Sequence, residues 1–160
     1  MAKVLRGSVE AERDLATLFR AQVVFWLLAA TDGHAKNFSL RILPGGRFQL
    51  TPLYDILSAW PIIGKRANQL PIEKVRMAMA LPGQRPHYHL KTLQRRHLLE
   101  LAKQLGIGAS ADRMLGELLA ATPTVIEQVQ RGLPRGFPAD VLDNVLDCLR
   151  VHAKRLASES

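Results

Sequence analysis

The stretch Asp32-Gly33-His34-Ala35-Lys36-Asn37 lies between a long apolar segment and two short runs that are joined by a turn. Upstream, apolar residues recur at steps of three and four from Ser8, the expected N-cap, to Ala30, which predicts a largely buried helix. Downstream, residues 38–42 and 47–50 flank Pro44-Gly45-Gly46, whose composition favours a β-hairpin turn. This helix, loop and hairpin decide the fold that we expect.

The polar residues Asp32 and Asn37 are five positions apart in the loop. That spacing alone has little weight, because two polar residues at such a distance often occur by chance. The predicted hairpin adds weight to this spacing. An antiparallel pair of strands brings the residue before its first strand close to the residue after its second strand. Asn37 and Asp55 are therefore predicted to be neighbours.

This arrangement has the parts that phosphoryl transfer from ATP requires. One carboxylate orients the attacking hydroxyl and accepts its proton, and oxygen ligands hold the magnesium that bridges the phosphates. Protein kinases use the same order of parts, which makes Asp32 the candidate base and makes Asn37 and Asp55 the candidate metal ligands. His34 takes a phosphate-facing position, and Lys36 adds positive charge.

A purely structural interpretation fits the same spacing. Asp32 and Gly33 would form a turn, Asn37 would satisfy backbone groups, and Asp55 would cap the next segment. His34 and Lys36 would then be solvated loop residues. Spacing does not decide between the two interpretations.

The rest of the chain has mostly helical patterns. Five prolines between residues 51 and 86 predict loops with one short helix around Ile72–Ala80. Further helices are predicted at 92–105 ending at Gly106, at 110–121, at 122–131 with Thr122 as cap and Pro123 in the first turn, and from about Pro138 onward. The expected class is mainly α with a small β-hairpin.

Length and cysteine content limit the class of protein. The 160 residues fit one compact domain, or a large piece of one, over residues 1–160. The single cysteine, Cys148, excludes an intrachain disulfide and a cysteine zinc cluster, so a cytoplasmic location is expected. The most apolar run, Val23–Ala30, is too short to cross a bilayer, and we expect no membrane partner.

The chain is basic, with a formal net charge of +8. The segment from Lys65 to Lys103 contains nine basic residues but only two acidic residues, Glu73 and Glu100. This segment fits contact with DNA phosphates, with Arg95, Arg96 and Lys103 as the candidates, or with an acidic protein. A solvated basic face is the alternative.

Two longer runs resemble the HipA family of bacterial toxin kinases, which are related to phosphatidylinositol kinases. They are Ala29-Ala30-Thr31-Asp32-Gly33-His34-Ala35-Lys36-Asn37-Phe38-Ser39 and Leu50-Thr51-Pro52-Leu53-Tyr54-Asp55-Ile56-Leu57-Ser58-Ala59. The resemblance implies the C-terminal helical lobe of a protein-kinase-like fold. It also implies ATP- and Mg²⁺-dependent phosphorylation of a protein serine, with aminoacyl-tRNA synthetases as the target class.

The resemblance also implies roles for individual residues. Asp32 matches the proton acceptor of the family. Two segments match its ATP contacts, namely His34, Ala35, Lys36 and Asn37 in the first and Tyr54 with Asp55 in the second. The implied partners are a HipB-like DNA-binding antitoxin, its operator DNA and a protein substrate.

The family's N-terminal, ATP-binding lobe has no counterpart in this sequence, because no glycine-rich segment follows a strand. The resemblance therefore covers about the last third of such a protein. We expect the chain to need that lobe, in cis or in trans, for turnover. The competing hypothesis is a non-catalytic helical module that binds an antitoxin and operator DNA.

Overall fold

The computed structural model describes residues 1–159, in which helices predominate. The helices are α1 (Ala2–Leu5), α2 (Ala11–Leu27), α3 (Arg95–Leu105), α4 (Gly108–Gly132) and α5 (Ala139–Ser158). The strands are β1 (Leu40–Ile42), β2 (Phe48–Leu50), β3 (Arg76–Leu81) and β4 (His87–His89). The prediction of a mainly α fold with a small hairpin is confirmed. Within residues 1–159, no helix has both the length and the apolar character needed to span a bilayer.

Helix α2 is the centre of the core, as its apolar periodicity predicts. It packs against α1, α3, α4, α5 and β2, and its side chains Phe19, Val23 and Trp26 are buried. Its start differs from the prediction, because the N-cap is Glu10 and not Ser8. The Ser8 hydroxyl instead accepts a hydrogen bond from the Glu10 amide and donates one to Asp14. Ser8 thus orders the turn before the helix.

The predicted hairpin is confirmed. Strands β1 and β2 pair antiparallel with Leu40 opposite Leu50. The Thr51 amide donates to the Ser39 carbonyl at 2.9 Å, which continues the pairing towards the loop. The buried carboxylate of Asp14 accepts a hydrogen bond from the Leu50 amide at 2.8 Å. This bond ties the end of β2 to α2.

The short helix expected around Ile72–Ala80 is wrong beyond its first turn. A single 3-10 turn covers Ile72–Lys74, and the following residues form β3, which pairs antiparallel with β4. Met and Ala favour helices, but β-structure depends strongly on cross-strand and tertiary packing. Here Met77 and Leu81 are buried as strand residues, so the packing overrides the local preference.

The two helices expected at 110–121 and 122–131 are one continuous helix, α4, with Pro123 inside it. Proline fixes φ at a helical value, so it removes one hydrogen bond without necessarily ending the helix. The Thr122 hydroxyl donates to the Leu118 carbonyl at 3.0 Å rather than capping a new helix. Beyond the proline, Ile126 is buried, which keeps the second half of α4 in place.

The helices predicted before Gly106 and after Pro138 are confirmed as α3 and α5. Gly106 has a φ of 82°, the left-handed conformation in which helices commonly end. The end of α5 lies against the start of α3. There, Glu159 accepts a hydrogen bond from the Arg95 amide, and Arg155 donates one to the Leu93 carbonyl, both at 2.6 Å.

Candidate active site

The loop that carries Asp32 begins where α2 ends. Ala29 adopts a left-handed φ of 48°, and the Ala30 amide donates to the Phe25 carbonyl at 2.7 Å, which turns the chain away from the helix axis. Gly33 then lies directly on the ring of Phe25, where a Cβ atom would be only 2.5 Å from the nearest ring carbon. This close approach fixes the height of the loop above the helix.

Asn37 is the buried end of this loop, with a relative exposure of 5%. Its side-chain oxygen accepts a hydrogen bond from the His34 amide at 3.1 Å, and its side-chain nitrogen donates one to Asp55 at 2.8 Å. The prediction that the hairpin makes Asn37 and Asp55 neighbours is confirmed. The amide orientation follows from these two bonds, since reversing it would place a donor against a donor.

Asp55 is held in an unusual backbone conformation. Its φ is 56°, in the left-handed region that residues other than glycine seldom adopt. Next to it, the Tyr54 hydroxyl bonds to the Lys36 carbonyl at 3.0 Å and to the Ser39 hydroxyl at 2.8 Å. These bonds join the segment after the hairpin to the loop before it. Such outliers persist where the surroundings determine them, and they cluster at functional sites.

The residues after Asp55 dock on the C-terminal end of α2. Ser58 donates to the Leu28 carbonyl at 2.8 Å, and the Trp60 indole donates to the Leu27 carbonyl at 2.9 Å. Both carbonyls belong to the helix end, where backbone acceptors lack partners within the helix. The loops of Asp32 and Asp55 therefore share one support. Nothing in the sequence indicated this contact, because serine and tryptophan also occur in many loops without such a role.

Asp32 faces solvent from the top of the loop, with 86% of its side chain exposed. Its carboxylate oxygen Oδ1 is 3.7 Å from Nε2 of His34, a separation longer than a hydrogen bond. Within residues 1–159, Nδ1 of His34 is buried and has no hydrogen-bond partner. Ala35 and Lys36 are exposed on the same loop. The loop thus presents a free carboxylate and a half-buried imidazole.

The donor set fits magnesium better than a transition metal. In the described part of the chain, no three His, Cys, Asp or Glu side chains converge as a metal site. Asp55 carries two carboxylate oxygens, and Asn37 carries an amide oxygen that accepts from the His34 amide while the amide nitrogen faces Asp55. Magnesium is commonly held by one or two carboxylates, with substrate phosphates and waters completing its octahedron. These two residues would hold such an ion.

The three candidate DNA contacts differ in their surroundings. Arg96 and Lys103 are exposed. The Arg95 side chain is only 20% exposed, and its guanidinium contacts Asp112 at 2.7 Å and the Leu156 carbonyl at 3.3 Å. Arg95 is therefore occupied by contacts within the chain. DNA contact remains a prediction for all three.

Residues 1–126 match the sequence model of the HipA-like C-terminal domain. The chain belongs to this family. Its matched residues include both loops of the candidate site, whereas α5 lies beyond them. Membership agrees with the resemblance that the two sequence runs indicated.

The fold is also similar to that of a HipA-family protein of known structure. The match is to a chain in the complex of HipA, HipB and operator DNA of the toxin–antitoxin system from Shewanella oneidensis MR-1. The two chains are 18% identical and align with a TM-score of 0.70. The alignment covers 99% of the present chain but 35% of that chain, so the present chain spans about a third of its length.

Proposed function

We propose that this chain is the C-terminal catalytic half of a HipA-like serine/threonine kinase. Such an enzyme transfers the γ-phosphate of ATP to a protein serine, and the family resemblance points to an aminoacyl-tRNA synthetase as the target. The observation that supports the proposal is the hydrogen bond of 2.8 Å between Asn37 and Asp55. It places two oxygen-bearing side chains together beside the loop that carries an exposed aspartate.

In this proposal the two loops have different tasks. Asp32, which has a solvent-facing carboxylate, orients the serine hydroxyl and accepts its proton. Asn37 and Asp55 hold magnesium, which when bound neutralises charge on the phosphates of ATP. His34, Ala35, Lys36 and Tyr54 line the ATP side of the same loops.

The chain would depend on an N-terminal, ATP-binding lobe supplied in cis or in trans. Positioning of the phosphates is most of the catalysis in phosphoryl transfer. The present chain accounts for 35% of the HipA-family chain to which it is similar. We therefore propose that turnover requires the remaining lobe.

We further propose a HipB-like antitoxin as partner, acting with operator DNA in the cytoplasm. The support is the composition of the similar complex, which contains HipB and operator DNA. The exposed cations Arg96 and Lys103 suit such a partner, because phosphate contacts dominate protein–DNA affinity. This surface also favours the second candidate function, a non-catalytic module that binds antitoxin and DNA.

The proposal is tested by combining the chain with the N-terminal lobe of a HipA-family kinase. Magnesium-dependent binding of ATP and transfer of labelled phosphate are measured for Asp55→Asn and Asp32→Asn. Loss of a metal ligand should weaken nucleotide binding about tenfold or more. Loss of the base should leave binding nearly unchanged and slow transfer about 100-fold. Asp143→Asn, at an exposed position on α5, is the matched control.

Two results would contradict the assignment. Equally small effects of Asp55→Asn and Asp32→Asn would remove the division of roles between the two loops. If magnesium and ATP left the melting temperature of the combined protein unchanged while antitoxin raised it, the binding module would be the better account.

A further inference from the structure

The basic segment between Lys65 and Lys103 contributes to a cavity that lies between α3 and the turn that joins β3 to β4 and shares no lining residue with the candidate kinase site. The cavity has a volume of about 840 Å³. The ionisable side chains that line it are Arg85, His87, Arg96, His97, Glu100 and Lys103. The turn contributes Arg85, strand β4 contributes His87, and α3 contributes the others.

His97 forms the buried wall of this cavity, with a relative exposure of 5%. Its Nδ1 accepts a hydrogen bond from the Gln94 amide at 3.1 Å, so the neutral ring carries its hydrogen on Nε2. Within residues 1–159, this Nε2–H has no protein acceptor, and it is not one of the fully buried polar atoms that lack a partner, so it is accessible from the cavity. A donor that is accessible at the wall of a cavity can donate to a bound anion or another acceptor.

A stacked histidine pair holds this wall in place. The rings of His87 and His97 lie 4.0 Å apart between centroids, with an angle of 26° between their planes. Gly83 makes room for the pair, because a Cβ at that position would be 2.5 Å from Nε2 of His87. Burial, His87 and Arg96 all lower the pKa of His97, so this ring stays a neutral donor.

The charge around the cavity is mostly uncompensated. Glu100 is the one carboxylate in its lining, and its distance to Nζ of Lys103 is 3.9 Å. In the described part of the chain, Arg85 and Arg96 form no ion pair. The guanidinium groups of Arg85 and Arg96 and the neutral N–H donor of His97 therefore line the same cavity. Guanidinium groups suit phosphate oxygens because their donors form a planar fork.

We infer that this cavity is a binding site for a small phosphate monoester, with inorganic phosphate as its minimal ligand. The cavity is larger than a phosphate group, so it leaves room for an attached organic portion. A duplex backbone is a poorer fit, because a rigid double helix would not bring one phosphate to both the arginines and the recessed His97. The site is separate from the Asp32 and Asp55 loops and does not depend on the proposed kinase activity.

The test is calorimetric titration of the full 160-residue chain with inorganic phosphate, without magnesium. A titration with sodium chloride at equal ionic strength is the reference, because it measures the heat that arises from screening of charges alone. Arg96→Gln should weaken phosphate binding about tenfold or more, as expected for the loss of a charge-assisted hydrogen bond. Arg135→Gln removes an exposed arginine that does not line the cavity, and it should change the affinity less than about twofold.

Three results would overturn the inference. The first is the absence of any phosphate-specific heat above the chloride reference. The second is an equal effect of Arg96→Gln and Arg135→Gln. The third is binding of a short DNA duplex that Arg96→Gln weakens, in a protein that does not bind phosphate, which would assign the cations to a nucleic-acid surface.

Discussion

At the residue scale, Gly33 is the position where the candidate catalytic loop tolerates least change. It packs on the face of Phe25, whose ring in turn meets Phe38 edge-on at 6.0 Å between centroids. Phe25 belongs to α2 and Phe38 follows the loop, so this ring contact joins the helix before the loop to the residue after it. The absence of a side chain at residue 33 is thus a packing requirement, and no left-handed φ is involved.

We expect Gly33→Ala to destabilise the protein by about 1–3 kcal/mol, the usual cost of forcing a methyl group into a packed space. The control is Gly116→Ala in the middle of α4, where a Cβ meets no atom within 4 Å. That change should stabilise the helix by about 0.5–1 kcal/mol. Urea denaturation of both variants measures the difference. Equal stability of Gly33→Ala and the wild type would show that the loop can move off Phe25.

At the element scale, α4 contains a defect that its packing overcomes. Pro123 has no amide hydrogen, so the carbonyl of Leu119 lacks the donor that an unbroken helix would provide. On the far side of the proline, α4 contacts α5, and Ile126 is buried. The tertiary contact therefore keeps helical a segment whose sequence favours a break.

Pro123→Ala should raise the free energy of unfolding by about 1–3 kcal/mol, because it restores this hydrogen bond and removes the steric clash of the ring. Thr124→Ala, at the next exposed position, should gain no more than about 0.5 kcal/mol. Thermal and urea denaturation compare the two variants. A loss of stability in Pro123→Ala would mean that the proline ring, which lines the groove towards α5, makes a necessary contact.

Elements with a strong local pattern were predictable from the sequence, and those that depend on distant partners were not. Periodicity identified α2, and Gly106 marked the end of α3, because burial and helix termination follow local rules. Residues 76–81 form a strand through pairing with His87–His89 and burial of Met77 and Leu81, neither of which their local sequence indicates. The contact between Asn37 and Asp55 was predictable because hairpin pairing imposes it. The left-handed φ of Asp55 was not, since residues other than glycine seldom adopt it and no local sequence signal marks it.

At the scale of the whole molecule, His152 joins the last helix to the core. Its ring lies 5.0 Å from that of Trp26 in α2 and 4.4 Å from that of Trp60, measured between centroids. Burial, with a further contribution from Arg155, lowers the pKa of His152 to about 4. The ring is therefore neutral in the folded protein at pH 7.

Unfolding exposes His152 and returns its pKa to about 6.5. Between pH 6.5 and pH 4 the unfolded chain binds a proton that the folded chain does not, so acidification lowers the free energy of unfolding. We expect a loss of about 2 kcal/mol from this group, allowing for its partial exposure to solvent. Urea denaturation at a series of pH values measures it.

His152→Phe should remove most of this pH dependence. What remains includes the contribution of His97, whose pKa burial also lowers. His89→Phe, at an exposed site on β4, should retain the full dependence. If the free energy of unfolding depended equally steeply on pH in His152→Phe and in the wild type, other groups would account for the acid sensitivity.

The hairpin has a practical consequence for protein engineering. Strand pairing, and not the length of the tip, sets the distance between Asn37 and Asp55. The tip at Pro44–Gly46 is exposed, and a Cβ on either glycine would meet no atom within 4 Å. An epitope tag or a fluorescent reporter inserted there would extend into solvent. It would allow the protein to be followed in cells while the candidate metal ligands keep their geometry.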